Sequence, residues 1–204
     1  MGGNWDFEKQ TGDIETGLGF ESQVLADFTG KLAVFTATDD ASLIQAINDA
    51  NANAEADTIN LAGNITLTAV EDNTDGANGL PSITAAEKLT IDGMGFTIAR
   101  DAGAMTPNFR ILHIALGAEL ELNNTTISNG VADAGGPGNN GGGIFNRGTL
   151  TLNNSTVSGN TANFRGGGIY NSGMVANAAN VTLNSSTVSG NTAGSGGGIF
   201  NRSI

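Results

Sequence analysis

Gly141-Gly-Gly-Ile-Phe-Asn146 recurs as Gly166-Gly-Gly-Ile-Tyr-Asn171 and again as Gly196-Gly-Gly-Ile-Phe-Asn201. The runs between them are nearly identical: Leu150-Thr-Leu-Asn-Asn-Ser-Thr-Val-Ser-Gly-Asn-Thr-Ala162 and Val181-Thr-Leu-Asn-Ser-Ser-Thr-Val-Ser-Gly-Asn-Thr-Ala193. A looser copy is Leu120-Glu-Leu-Asn-Asn-Thr-Thr-Ile-Ser-Asn-Gly-Val-Ala132. Such self-similarity marks units that bury their apolar faces only against their neighbours. The glycine phrases fall 25 and then 30 residues apart, so five extra residues are expected around 174–180. Ile114 precedes Leu120 by six positions, as Ile144 precedes Leu150, which sets Ile114 in the place of Ile144.

Alternation within a unit points Ile144, Leu150, Leu152 and Val157 to one face and Thr149, Thr151, Thr156 and Ser158 to the other. Their equivalents Ile169, Leu183, Val188 and Ile199 complete the expected core. Three short strands and three turns per unit describe one coil of an all-β, right-handed parallel β-helix, a β-solenoid. Stacked coils bring matching letters together, so Asn146, Asn171 and Asn201 should form an amide ladder. Phe145, Tyr170 and Phe200 should form a ring ladder beside it. The glycine triplets let the backbone turn where a Cβ would clash.

Ser42 to Asn51 reads as a capping helix, with Leu43, Ile44, Ile47 and Ala50 on one stripe and Ser42 with Gln45 as its capping box. Strand-like runs follow at Thr58–Leu61, Ile65–Thr68, Leu89–Asp92 and Phe96–Ala99, with a polar loop over residues 73–79. Three regions result. Residues 1–36 form a non-repeating lid or docking arm carrying Trp5, Phe7, Phe20, Phe28 and Phe35. Residues 37–101 hold the cap and first irregular coils, and residues 102–204 the regular coils, which end part-way through a coil.

The net charge of −12 is unevenly placed. Residues 1–101 hold 17 carboxylates against four basic residues, whereas residues 102–204 hold three against Arg110, Arg147, Arg165 and Arg202. That balance argues against nucleic acid, which needs a basic surface. It leaves room for one end of the molecule attracting the opposite end of another. No cysteine is present, so neither a disulfide scaffold nor a thiolate-bound metal is available. No apolar run is long enough for a membrane span. The opening Met1-Gly-Gly-Asn-Trp-Asp6 has no signal-like pattern, which fits a mature product, an expression fragment or a cytosolic protein.

Candidate chemistry is sparse. Glu119 and Glu121 share a strand face and are the one carboxylate pair in the repeats suited to acid/base work. Arg147 and Arg202 are equivalent positions, but Ser172 interrupts their row, which favours a solvated surface. His113, the only histidine, is expected to point outward between Leu112 and Ile114. Glu71-Asp-Asn-Thr-Asp75-Gly76 resembles the start of a calcium loop, although Ser82 replaces its closing carboxylate; calcium is the one cofactor candidate. The rows Thr126, Thr156, Thr187 and Ser128, Ser158, Ser189 should form a hydroxyl surface open to glycans or ice.

Val157-Ser-Gly-Asn-Thr-Ala162 followed by Gly166-Gly-Gly-Ile169 resembles the paired GGxI and FxxN repeats of polymorphic outer-membrane proteins and other adhesin-like bacterial surface proteins, within the pectate-lyase-like fold. Val157 and Val188 stand where that pattern has Phe. Ser42-Leu-Ile-Gln-Ala-Ile47 with Asp57-Thr-Ile-Asn-Leu61 looks like the cap of large secreted repeat proteins, with Ala41 and Ile44 in place of the usual Cys and Arg. The resemblance implies an extracellular or cell-surface structural or adhesive role, with a polysaccharide-binding or -degrading protein as the alternative. The expectation is a non-enzymatic solenoid associating head-to-tail into filaments, its junction formed by Trp5, Phe7, Phe20, Phe200 and Ile204.

Overall fold

The structure, a computed structural model, describes residues 33–174 and 178–202. Its first elements are β1 (Val34–Ala37), α1 (Asp40–Ala52), β2 (Asp57–Leu61), β3 (Ile65–Leu67), β4 (Leu89–Asp92) and β5 (Thr97–Arg100). The next coil comprises β6 (Leu112–Ile114), β7 (Glu119–Asn123), β8 (Thr126–Ser128) and β9 (Val131–Ala132). Two regular coils follow: β10 (Ile144–Asn146), β11 (Thr149–Asn153), β12 (Thr156–Ser158) and β13 (Thr161–Arg165); then β14 (Ile169–Asn171), β15 (Asn180–Asn184), β16 (Thr187–Ser189) and β17 (Thr192–Ser195). β18 (Ile199–Asn201) opens one more.

All pairing between these strands is parallel, in four sheets ordered β1-β2-β4-β7-β11-β15, β6-β10-β14-β18, β3-β5-β8-β12-β16 and β9-β13-β17. The result is a β-solenoid of about five turns. Each regular coil has four strands, one more than the spacing predicts, because the Thr-Ala segments at 161 and 192 pair in their own sheet. The register of the first regular coils also differs from expectation. Leu112, not Ile114, pairs with Ile144, and Ile114 lies opposite Asn146. Ile114 and Leu120 are joined by a turn two residues longer than the one between Asn146 and Leu150, which shifts the alignment by two.

Letters that match do touch. Ile144, Ile169 and Ile199 are neighbours across three strands, as are Leu122, Leu152 and Leu183. Ile144, Leu150, Leu152, Val157 and Ile169 are fully buried. Leu183 and Ile199, expected in the core, are 40 % and 37 % exposed, and Val188 is only partly buried. They point inward like their equivalents, but no described strand stacks on them. Apolar residues in a solenoid are dry only when another coil covers them.

The first glycine of each triplet has positive φ (+67° at Gly141, +63° at Gly166, +60° at Gly196). At Gly142 and Gly167 a Cβ would strike backbone carbonyls of the next turn, so the second glycine serves close approach. At the other end α1 buries Leu43, Ala46, Ile47 and Ala50 against the first coil. Asp39, not Ser42, is its N-cap: the Asp39 carboxylate accepts from the Ser42 N–H, and Ser42 answers as the third helical residue. A carboxylate at the helix N-terminus also faces the positive end of the dipole.

Candidate functional site

The ring ladder is longer than the repeats suggest. His113, Phe145, Tyr170 and Phe200 follow one another on β6, β10, β14 and β18, with centroids 5.4, 5.0 and 5.9 Å apart. They project from the outer face of their sheet, as alternation predicts for His113. They are not solvated there: His113, Phe145 and Tyr170 are all buried, with the 71–78 loop reaching His113 through Asp75. The alignment of His113 with Phe145 was the available signal, obscured by the two-residue shift in register.

Arg110 packs onto this ladder, fully buried, its guanidinium 4.9 Å from the Phe145 ring centre. Nη2 donates to the carbonyls of Asp75 and Pro137 at 3.0 and 3.1 Å. Burial pushes its pKa down to about 10, although Asp75 and Asp72 act in the opposite sense. His113 is pushed down to about 4, first by burial and then by the Arg110 charge, so the imidazole is neutral near pH 7. Ser82 gives its hydroxyl hydrogen to Asp72, which leaves the His113 Nδ1–H to donate to Ser82 Oγ at 2.8 Å. The bare Nε2 then faces Asp75 at 3.4 Å, a contact rather than an ion pair. Among the described residues, buried polar side-chain atoms without partners belong to Asn78, Arg110, His113 and Asn140.

Downstream of this buried cluster the ladder opens into a groove of about 540 Å³, lined among others by Asp75, Arg147, Phe164, Arg165, Tyr170 and Arg202. Every basic residue of 102–204 therefore meets at one place: Arg110 beneath it and the other three around it. The Arg147–Ser172–Arg202 row is interrupted, as its sequence indicates, but Ser172 lines the groove, and Arg165 adds a charge from β13. The arginines form a convergent cluster rather than independent surface charges. Arg147 pairs with Asp75 at 2.6 Å, and Arg165 stacks over Phe164 and Phe200 at 4.2 and 5.0 Å.

The other candidates are tied up elsewhere. Glu121 bonds Lys88 at 2.9 Å, which holds its carboxyl below the usual range, so it is no proton donor near neutral pH. In the acidic loop, Asp72 accepts from Thr74, Asn78 and Ser82, and Asp75 faces Arg147, so the two carboxylates serve protein donors. No group of three or more metal-ligating side chains occurs among the described residues. The hydroxyl rows are in register, Thr126–Thr156–Thr187 and Ser128–Ser158–Ser189.

The amide ladder forms as expected: Asn146 Nδ2 donates to Asn171 Oδ1 at 2.7 Å, and Asn171 to Asn201 at 2.9 Å. Two further rows exist. Asn184 donates to Asn153 and Asn153 to Asn123, each at 2.8 Å, while Asn160 donates to Asn191 at 3.0 Å. Their letters repeat as plainly as the first row's and could have been read the same way. A second hollow, about 310 Å³, lies on the last coil between Val181, Leu183, Ile199 and the amides of Asn171 and Asn201. Of the residues expected at a subunit junction, Phe200 extends the ring ladder, while Trp5, Phe7, Phe20 and Ile204 lie outside the described residues. No helix of the described residues is long and apolar enough to cross a membrane. No protein family, no curated protein and no solved structure matches this chain.

Proposed function

We propose that this chain is a structural, non-catalytic β-solenoid that extends by adding coils of its own kind, copy to copy, in an extracellular or cell-surface setting. One observation carries the reading. The face that the last described coil offers, with its inward row of Val181, Leu183 and Ile199 and its Asn201 amide, repeats the face on which each earlier coil receives its successor. A segment with the same letters gains four parallel strand edges, an apolar row and an amide ladder in one step. The contact is heterologous, and heterologous contacts propagate into filaments. Open strand edges pair readily with other chains. The setting draws on the resemblance of the glycine-triplet repeats to bacterial surface proteins.

Negative-stain microscopy of the purified chain at rising concentration tests this. Fibres are expected for the unaltered chain, and their loss for Val181→Asp/Ile199→Asp, which places charge in the apolar row at an already exposed coil. Strict monomers of the unaltered chain would overturn the reading. The rival is a polysaccharide-binding or polysaccharide-degrading protein, favoured by the arginine-lined groove. Turnover in a screen of acidic and neutral polysaccharides, abolished by Glu119→Gln, would replace our reading with that one.

A further inference from the structure

We propose that the Arg165–Arg202 end of the groove receives carboxylates of a second copy of this chain, supplied by that copy's acidic half. The proposal rests on the self-association argued above and names the chemistry that orients it. The chain already contains the interaction in one instance. Asp75, carried on the 71–78 loop, reaches across the ladder to bond Arg147 at 2.6 Å. Further along the same ladder, Arg165 and Arg202 stand beside Tyr170 in the same way, yet the ion pairs among the described residues are confined to those of Lys88 and Arg147. Among the described residues, the pattern that begins with a carboxylate continues without one.

Three observations select the occupant. Described residues 33–101 carry eleven carboxylates against two basic residues, which makes this region the complement of the groove. Arg202 follows β18 directly, so this end of the groove adjoins the face of the last described coil, on which another copy would seat. The groove also favours negative charge at its centre. Burial acts to raise the Tyr170 pKa, but Ser172, Arg202 and Arg165 around the phenol oxygen outweigh it and hold the pKa below its ordinary value. Charges on partly exposed arms are screened by salt and add modestly to affinity, but they steer encounter and fix orientation.

Sedimentation velocity on the full chain tests this at about 0.05 M and about 0.5 M NaCl, conditions that differ strongly in screening length. Arg165→Gln/Arg202→Gln should weaken self-association at low salt by about tenfold or more, high salt should do the same to the unaltered chain, and Lys88→Gln should change little. Association as tight in the double arginine variant as in the unaltered chain would overturn the proposal. So would a chain that stays monomeric and binds a uronic-acid oligosaccharide through these arginines, which would assign the groove to a glycan. Val181→Asp/Ile199→Asp separates the two readings. If it abolishes association and the arginine variant does not, coil addition stands and the groove contact falls; the reverse result keeps the groove contact and removes coil addition.

Discussion

Leu152 and Leu183 are paired in one row of one sheet, in nearly the same words of sequence, Leu150-Thr-Leu-Asn153 and Val181-Thr-Leu-Asn184. Leu152 is wholly buried, whereas Leu183 is 40 % exposed. Residue type, strand and neighbours along the chain do not account for the contrast. The difference is a described coil on both sides against a described coil on one. Burial in this fold is therefore a property of position in the stack, and the two coils should respond differently to the same cut. Leu152→Ala should cost about 2–5 kcal/mol, the transfer term plus the cavity. Leu183→Ala, already half in water, should cost under about 1 kcal/mol by the smaller area it returns to solvent. Urea denaturation of both variants checks this, and equal costs would break the comparison.

The amide ladder gives the same contrast in polar form. Asn146 is completely buried and bonds Gly148, Asn171 and the Asn180 carbonyl, whereas Asn201 is exposed and bonded through Asn171. Replacing Asn146 by Ala strands buried partners and should cost about 1–3 kcal/mol, while Asn201→Ala leaves partners that water can reach and should cost less than about 1 kcal/mol. Thermal unfolding of the two variants is the measurement. If oligomer forms under the conditions used, the Asn201 cost should rise toward that of Asn146.

The sequence of the glycine-triplet repeats was enough to place strands, inward rows and ladders in the regular coils, because a solenoid turns identical letters into contacts. It was less informative where the contacts come from dissimilar letters. The 71–78 loop reads correctly as a polar loop, but nothing in its composition says that it folds over His113 and Arg110. Those contacts span 35 residues or more, as between Arg110 and Asp75, and 72 between Arg147 and Asp75. The arginine cluster escaped for the same reason: Arg165 comes from a fourth strand that spacing alone did not separate from its turn.

His113 supplies a last contrast, between a ladder position filled by a titratable ring and the three filled by Phe or Tyr. Its folded-state pKa, about 4, lies below the ordinary 6.5 of an unfolded chain, because burial and the neighbouring Arg110 disfavour the imidazolium more than Asp75 and Asp72 favour it. Between those two values the unfolded state binds more protons, so stability rises with pH through this window and is flat above it. As pH falls from 6.5 toward 4 the chain should lose stability on the order of 1 kcal/mol per pH unit at most. The depressed carboxyl of Asp72 acts in a separate window, where stability is lost as pH falls below the ordinary carboxylate range. Its bonds from Ser82, Thr74 and Asn78 outweigh the burial that would raise it. His113→Phe extends the Phe145 ladder with an uncharged ring and should remove the slope between pH 6.5 and 4 while leaving the more acidic one. Chemical denaturation at half-unit pH steps separates the two, and a slope that persists in His113→Phe would assign the titration to another group.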